Sequence, residues 1–210
     1  MRVLVVYCHP VPESFCAALR DTCLAALAAG GHEARLLDLY AEGFNPAMNA
    51  RERRTYNDGP PADPVLLAHG EHLHWAEGLL FVYPTWWYGL PAMLKGWLER
   101  VWAVDIAFGL APDGGRIKPK LQNIRRLGVV TTCGATWLVS KLIGEPGRKT
   151  LLRGMRPLFS PRCRSFYLAH YDMDRSTPES RRAYLEKVRA TMGRFGATSA
   201  SPSPLVGEGG

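Results

Sequence analysis

Three short segments hold residue types able to do chemistry. CHPVPESF (8–15) brings His9 and Ser14 to the start of a helical stretch. PTWWYG (84–89) sets Trp86, Trp87 and Tyr88 between a proline and a glycine, and TTCGA (131–135) places two hydroxyl residues before a small turn. In the first segment, the Ser14 hydroxyl and the free N–H groups of an opening helical turn make a seat for phosphate, supported by the helix dipole. His9 is a second donor to the same anion. The plainer alternative is that Ser14 only caps the helix and His9 fills a turn. In the second segment, flat rigid rings plus backbone N–H groups suit a planar ring system with a polar edge. The alternative there is packing in a core or against a second subunit. In the third, Gly134 lets backbone approach a ligand closely, and donors there would meet a carbonyl-bearing ring edge. Cys133 reads as a small turn residue rather than a redox centre, because no second cysteine lies near it in sequence.

Neither glycine-rich phosphate motif is present at 8–15. A low-molecular-weight phosphatase also places a cysteine after its first strand, but it needs an arginine six residues later. Ser14 stands at that distance from Cys8, so Cys8 lacks the cation that would hold a phosphate for attack.

The elements that must position these segments follow from apolar patterning. Residues 3–7, 34–37, 78–83, 127–132 and 165–170 are short β-rich runs, and the first is continuously apolar, as expected for a strand buried on both faces. Helices are predicted over 14–29, 65–75, 91–103 and 178–194, with helical material from about 136 to 153. Within 91–103, Leu94, Trp97, Leu98, Val101 and Trp102 form an apolar stripe. Residues 39–64 read as an irregular arm and 105–122 as a loop-rich insertion. Strands alternating with helices make an α/β fold with a parallel sheet, whose ligands bind beyond the carboxyl ends of strands where strand order reverses. The three segments occupy three such ends, so they should converge on one crevice.

The chain has 210 residues, 47% of them hydrophobic, and a formal net charge of +7. That suits one domain over 1–195, with 196–210 a small, polar, disordered tail. Arginine-rich stretches at 51–54, 125–126 and 153–164 bring no nucleic-acid docking motif with them. General attraction for phosphate-bearing ligands is the simpler reading, and no nucleic-acid partner is expected. No run approaches the roughly 18 apolar residues that span a bilayer, so no membrane insertion is expected. Five cysteines without paired spacing fit reduced thiols in a cytoplasmic protein, and no metal site is expected.

In their order and spacing, these segments resemble the flavodoxin-like NAD(P)H:quinone oxidoreductase family, which includes the ancillary flavoproteins of potassium-efflux systems. His9 with Ser14-Phe15 matches the family's H-x4-S-F, and 84–101 matches P-x-x-W-x-G-x-P-A-x-L-K-G-W-x-E-R-V. Thr131-Thr132-Cys133-Gly134 matches T-T-G-G with cysteine at the third place. The resemblance implies a flavodoxin-like three-layer sandwich with a five-stranded parallel sheet of order 2-1-3-4-5. It implies bound FAD, or FMN, with NAD(P)H as hydride donor and a quinone-like acceptor in alternation, and a homodimer with its sites at the subunit interface. His9, Ser14, Phe15, Cys16, Pro84, Thr85, Trp86, Trp87, Tyr88, Thr131, Thr132, Cys133 and Gly134 would contact the cofactor, with Tyr88 and Trp137 shaping the pocket. Trp97, Trp102 and residues 44–62 are the expected dimer contacts. The chain departs from the family at Val139 and Glu145, where mammalian members carry the tyrosine and histidine that handle quinone. The alternative function is a flavin-binding, redox-sensing regulatory subunit of a membrane transport system.

Overall fold

The computed structural model describes residues 1–111 and 116–196. Most of the 196–210 tail, and the centre of the 105–122 insertion, lie outside the described residues. Strands β1 (Arg2–Tyr7), β2 (Glu33–Asp38), β3 (Gly78–Thr85), β4 (Phe108–Gly109), β5 (Lys118–Pro119), β6 (Arg126–Cys133) and β7 (Arg164–His170) alternate with helices. These are α1 (Phe15–Ala29), α2 (Ala50–Arg54), α3 (Pro64–Trp75), α4 (Ala92–Val101), α5 (Trp137–Ile143), α6 (Pro146–Lys149) and α7 (Pro178–Met192). The five long strands form one parallel sheet in the order β2-β1-β3-β6-β7. That is the expected 2-1-3-4-5 when the long strands alone are counted. β4 and β5 form a separate antiparallel pair inside what reads in sequence as a loop.

Two-sided burial orders the sheet. Along β1, Leu4 and Val6 enter one core while Val3, Val5 and Tyr7 enter the other, and β3 divides Leu79, Phe81 and Tyr83 from Leu80 and Val82 in the same way. Helices α3 and α4 cover the first face, α1 and α7 the second. Each fully buried aliphatic side chain contributes about 1.5–3 kcal/mol, so this alternation outweighs the weak intrinsic preference of any strand. Gly128 is required by close packing: a Cβ there would stand 2.6 Å from Phe166 Cζ and 2.7 Å from Leu80 Cδ1.

The apolar stripe of α4 points inward, which corrects one expectation. Trp97 and Trp102 are buried in the chain's own core against Phe81 and Phe159, so neither ring is available as a dimer contact. Leu94, Leu98 and Val101, the rest of the stripe, enter the same core, as the same periodicity would also require. The arm is fastened to its own chain as well. Arg100, only 6% exposed, donates to Glu52, to Asp63 Oδ2 (3.1 Å) and to the Asn45 carbonyl. Gly96 admits the arm, since a Cβ there would overlap Pro46.

Trp97 Nε1 donates to His69 Nδ1 at 2.9 Å, and His69 Nε2 meets Glu42 at 3.1 Å. Trp102 Nε1 is equally buried and has no partner among the described residues. Trp97→Phe therefore leaves a buried acceptor unsatisfied, whereas Trp102→Phe removes an unsatisfied donor. Urea denaturation should find Trp97→Phe the more destabilising by about 1–3 kcal/mol; equal losses would show that the Trp97–His69 bond contributes nothing.

Candidate functional site

The carboxyl ends of β1, β3, β6 and β7 lie at one rim, and the strand order reverses between β1 and β3. A cavity of about 900 Å³ opens there. From the end of β1 it receives His9; from the end of β3, Pro84, Thr85, Trp86, Trp87 and Tyr88; from the end of β6, Thr132, Cys133 and Gly134. The three remote segments thus share one concave space within the size range of cofactor sites. A second cavity of about 310 Å³ lies around Arg100, but the guanidinium there is already held by Glu52, Asp63 and a carbonyl, which leaves little to recognise a ligand.

His9 leaves the sheet just after Cys8 N–H donates to the Val82 carbonyl (3.0 Å). Its Nδ1 lies 3.0 Å from Val11 N–H and 3.3 Å from the Val11 carbonyl; with Nδ1 accepting from the N–H, the proton of the neutral ring stands on Nε2. Burial lowers its pKa, against the Val11 carbonyl, so the ring is a neutral donor at pH 7. The ring lies 6.0 Å from that of Trp86.

Both readings of Ser14 bear on the geometry. Its side chain caps α1 by accepting from Ala17 N–H (3.1 Å), so the hydroxyl is committed to the helix. The N–H groups of Phe15 and Cys16 have no backbone or side-chain acceptor among the described residues. Against the expectation, Ser14, Phe15 and Cys16 do not line the cavity; what the start of α1 offers an anion is its free backbone N–H groups. Phe15 packs on His170 and Tyr184. The Cys16 thiol, 2% exposed, faces the core, because its position on α1 lies on the buried stripe.

The aromatic segment is a tight turn. Gly89 N–H donates to the Trp86 carbonyl at 2.9 Å, and the two central residues have positive φ, 48° at Trp87 and 62° at Tyr88. Such a turn ordinarily takes Asn-Gly, and a side-chain-bearing residue in this region costs about 1–2 kcal/mol. The conformation leaves Trp87 95% exposed at the rim. A strained, exposed ring beside a cavity is a feature of sites rather than of packing.

Thr131 is sealed, because its side chain lies between strands: its Oγ1 bonds Thr85 Oγ1 at 2.9 Å. It supports the wall without touching the space. Cys133 turns its Sγ to Ser140 Oγ (3.4 Å). Gly134 is needed where the wall meets the loop after β7, since a Cβ there would stand 2.9 Å from Asp174 Oδ2. Trp137 is a correction: it starts α5, 57% exposed, and does not line the cavity. Val139 lies on the same helix, 39% exposed. Glu145 is buried and held by Lys141, Arg148 and Tyr171.

Sequence reading missed the fourth wall. Ala135, Met173 and Asp174 also line the cavity, and Asp172 N–H ties the loop after β7 to the Ala135 carbonyl at 3.0 Å. The rule that draws attention to carboxyl ends applies equally to the fifth long strand, and DMDR (172–175) was its available signal. Among the thiols, burial pushes Cys8 and Cys23 up to about 12 and raises Cys16 and Cys163 as well.

The family described as having a flavodoxin-like fold matches residues 1–191. A ribosyldihydronicotinamide dehydrogenase [quinone] from Mus musculus is 31% identical over 164 residues, 67% of either chain. The chain spans 47% and 54% of two further curated relatives. The NAD(P)H:quinone oxidoreductase from Methanothermobacter marburgensis superposes with a TM-score of 0.80 at 22% identity, covering 95% of this chain and 99% of that one. An FMN-dependent NADH-azoreductase from Bacillus anthracis, solved with FMN, gives 0.73 at 14% identity, covering 93% and 99%. At those identities the two structures bear on the fold. With the family match over 1–191 and the mouse relative added to the shared rim, the chain belongs to the flavodoxin-like NAD(P)H:quinone oxidoreductase family, a family of oxidoreductase enzymes.

Proposed function

We propose that this protein is a flavoenzyme that moves a hydride from NAD(P)H through a bound flavin to quinones or similar small acceptors. One observation carries the reading: His9, the Trp86–Tyr88 turn and Thr132–Gly134 line a single open cavity of about 900 Å³. The donor set fits a flavin. Free backbone N–H groups open α1, His9 Nε2 is a donor, Trp87 offers a ring face, and the absence of a Gly134 side chain lets the Asp174 loop close the fourth wall. When bound, the flavin supplies two-electron hydride chemistry. The chain's part is to stack flat rings, exclude water and hold donors at the polar edge. No side chain of the cavity is required to carry a proton for the hydride step.

FAD is the form we propose, because His9 and Ser14-Phe15 match the family's pyrophosphate motif; the azoreductase relative makes FMN the other outcome to test. A homodimer is proposed with the exposed rings and aliphatics of α5 near the interface, where Trp137, Leu138 and Leu142 are 57%, 60% and 78% exposed. No helix of the described residues is long and apolar enough to cross a membrane. Unpaired cysteines support a reducing, cytoplasmic setting, and residues 1–195 are proposed as one domain. No structural feature described above favours the regulatory-subunit reading.

Two outcomes test this. The protein, as purified or after incubation with FAD or FMN, should carry the flavin's visible absorbance, and anaerobic NADH or NADPH should bleach it until a quinone restores it. Colour that neither nucleotide bleaches would reject the enzyme. Trp87→Gly should raise the flavin Kd about three- to tenfold, the worth of one aromatic stacking contact. Its unfolding free energy should change by no more than about 1 kcal/mol, because the lost ring is exposed and relief of the strained φ offsets the entropy of glycine.

A further inference from the structure

The turn that presents Trp87 does not hold itself. Two consecutive non-glycine residues at positive φ are closed by one internal hydrogen bond, and the Trp87 ring makes little contact of its own. Its other support comes from a segment some sixty residues further along the chain. Gly147 N–H reaches the Tyr88 carbonyl at 3.4 Å, and Gly147 lies flush on Gly89: a Cβ there would stand 3.2 Å from the Gly89 carbonyl carbon. Gly147 in turn follows Glu145, which is itself at φ 48° between α5 and α6.

Glu145 is held through its backbone, whose N–H donates to the Ser140 carbonyl (3.2 Å) and whose carbonyl accepts from Lys149 N–H (3.1 Å), and through its carboxylate. The side chain is 6% exposed and accepts from Lys141 Nζ (2.6 Å), Arg148 Nη1 (3.1 Å) and the Tyr171 hydroxyl. These donors come from α5, α6 and the end of β7. Glu145, Tyr171 and Tyr167 border a small recess that shares Thr85, Tyr88 and Cys133 with the large cavity. We infer that Glu145 is a positioning residue: its buried carboxylate, gripped by Tyr171, Lys141 and Arg148, fixes the 145–147 bend on which the Trp87–Tyr88 turn rests. The consequence for cofactor affinity rests on the flavin reading; the mechanical coupling of the two bends does not.

The electrostatics agree with a held anion. Burial acts to raise the Glu145 pKa, but Lys141, the Tyr171 hydroxyl and Arg148 outweigh it and leave it lowered from 4.5. Tyr167 is pushed up to about 12 by burial and by Glu145, and Tyr171 and Tyr83 are raised too, so the tyrosines facing Glu145 stay neutral. A carboxylate with a lowered folded-state pKa stabilises the fold above its unfolded value, and that contribution disappears as pH falls through the folded value. Stability should therefore drop on acidification below about 4.5, and Glu145→Gln should flatten that limb.

Tyr171→Phe and Glu145→Gln each test the coupling, with Gly147→Ala reaching the same bend by wedging a methyl group against Gly89. Trp87 accessibility is read by acrylamide quenching of the emission that each variant loses when Trp87→Phe is added. FAD affinity is read by flavin fluorescence. We expect altered Trp87 quenching and a three- to tenfold higher FAD Kd in each, and a Tyr171→Phe/Glu145→Gln pair no worse than its more severe member, because the two act through one bond. A lower melting temperature with unchanged quenching and unchanged Kd would reduce Glu145 to a structural role and overturn the inference. If the parent protein binds no flavin at all, the proposed function fails, while the quenching comparison still decides whether the bends are coupled.

Discussion

Burial of both faces of the central strands is the constraint from which the rest follows. β1 and β3 send alternate side chains into two separate cores, so neither strand has a face left for chemistry. Polar groups can emerge only where the strands stop. Because β1 turns outward to β2 on one side while β3, β6 and β7 extend the sheet on the other, the connections part at the carboxyl ends and open a crevice. Residues more than a hundred positions apart in the chain, His9 and Thr132 among them, come to line one cavity.

Within that frame the rim is built from unfavourable local choices. Trp87, Tyr88, Glu145 and Asp172 all have positive φ without being glycine. A fold this well packed can hold such residues because the cores on either side of the sheet supply far more free energy than a few strained dihedrals remove. Glycines appear where backbone must meet backbone or a neighbouring wall, at Gly96, Gly134 and Gly147. Of the five non-glycine residues with positive φ among the described residues, all but Asp105 thus lie at that rim or on the bends beside it.

Much of this was legible in the residues. Short β-rich runs named all five main strands: β1, β3 and β6 are sealed on both faces and have little freedom to be polar, while the edge strands β2 and β7 are partly exposed and carry charged residues. The spacing of His9, the 84–101 block and 131–134 placed the crevice. Contacts that depend on direction were not legible. A stripe such as Trp97 and Trp102 has the same period whether it packs on its own sheet or on another subunit, and it packs on the sheet. Cys16 and Thr131 stand beside site residues in sequence, yet the helical and strand periods turn them inward. The β4–β5 pair is too short to leave a pattern, and Asp174 joins the cavity through a loop whose course depends on Gly134. Glu145 was visible as a departure from a family pattern, but its three donors lie on three different elements and could be found only in space.

The handling of sulfur has a chemical consequence. Quinones are electrophiles that add to thiolates, so any chain that admits them risks arylation of its own cysteines. Here Cys8, Cys16 and Cys23 are enclosed and kept protonated by burial, Cys163 is enclosed as well, and Cys133, which borders the cavity, directs its sulfur to a serine. For the acceptor proposed above, four of the five thiols would be shielded by burial, and Cys133 would be the one to watch.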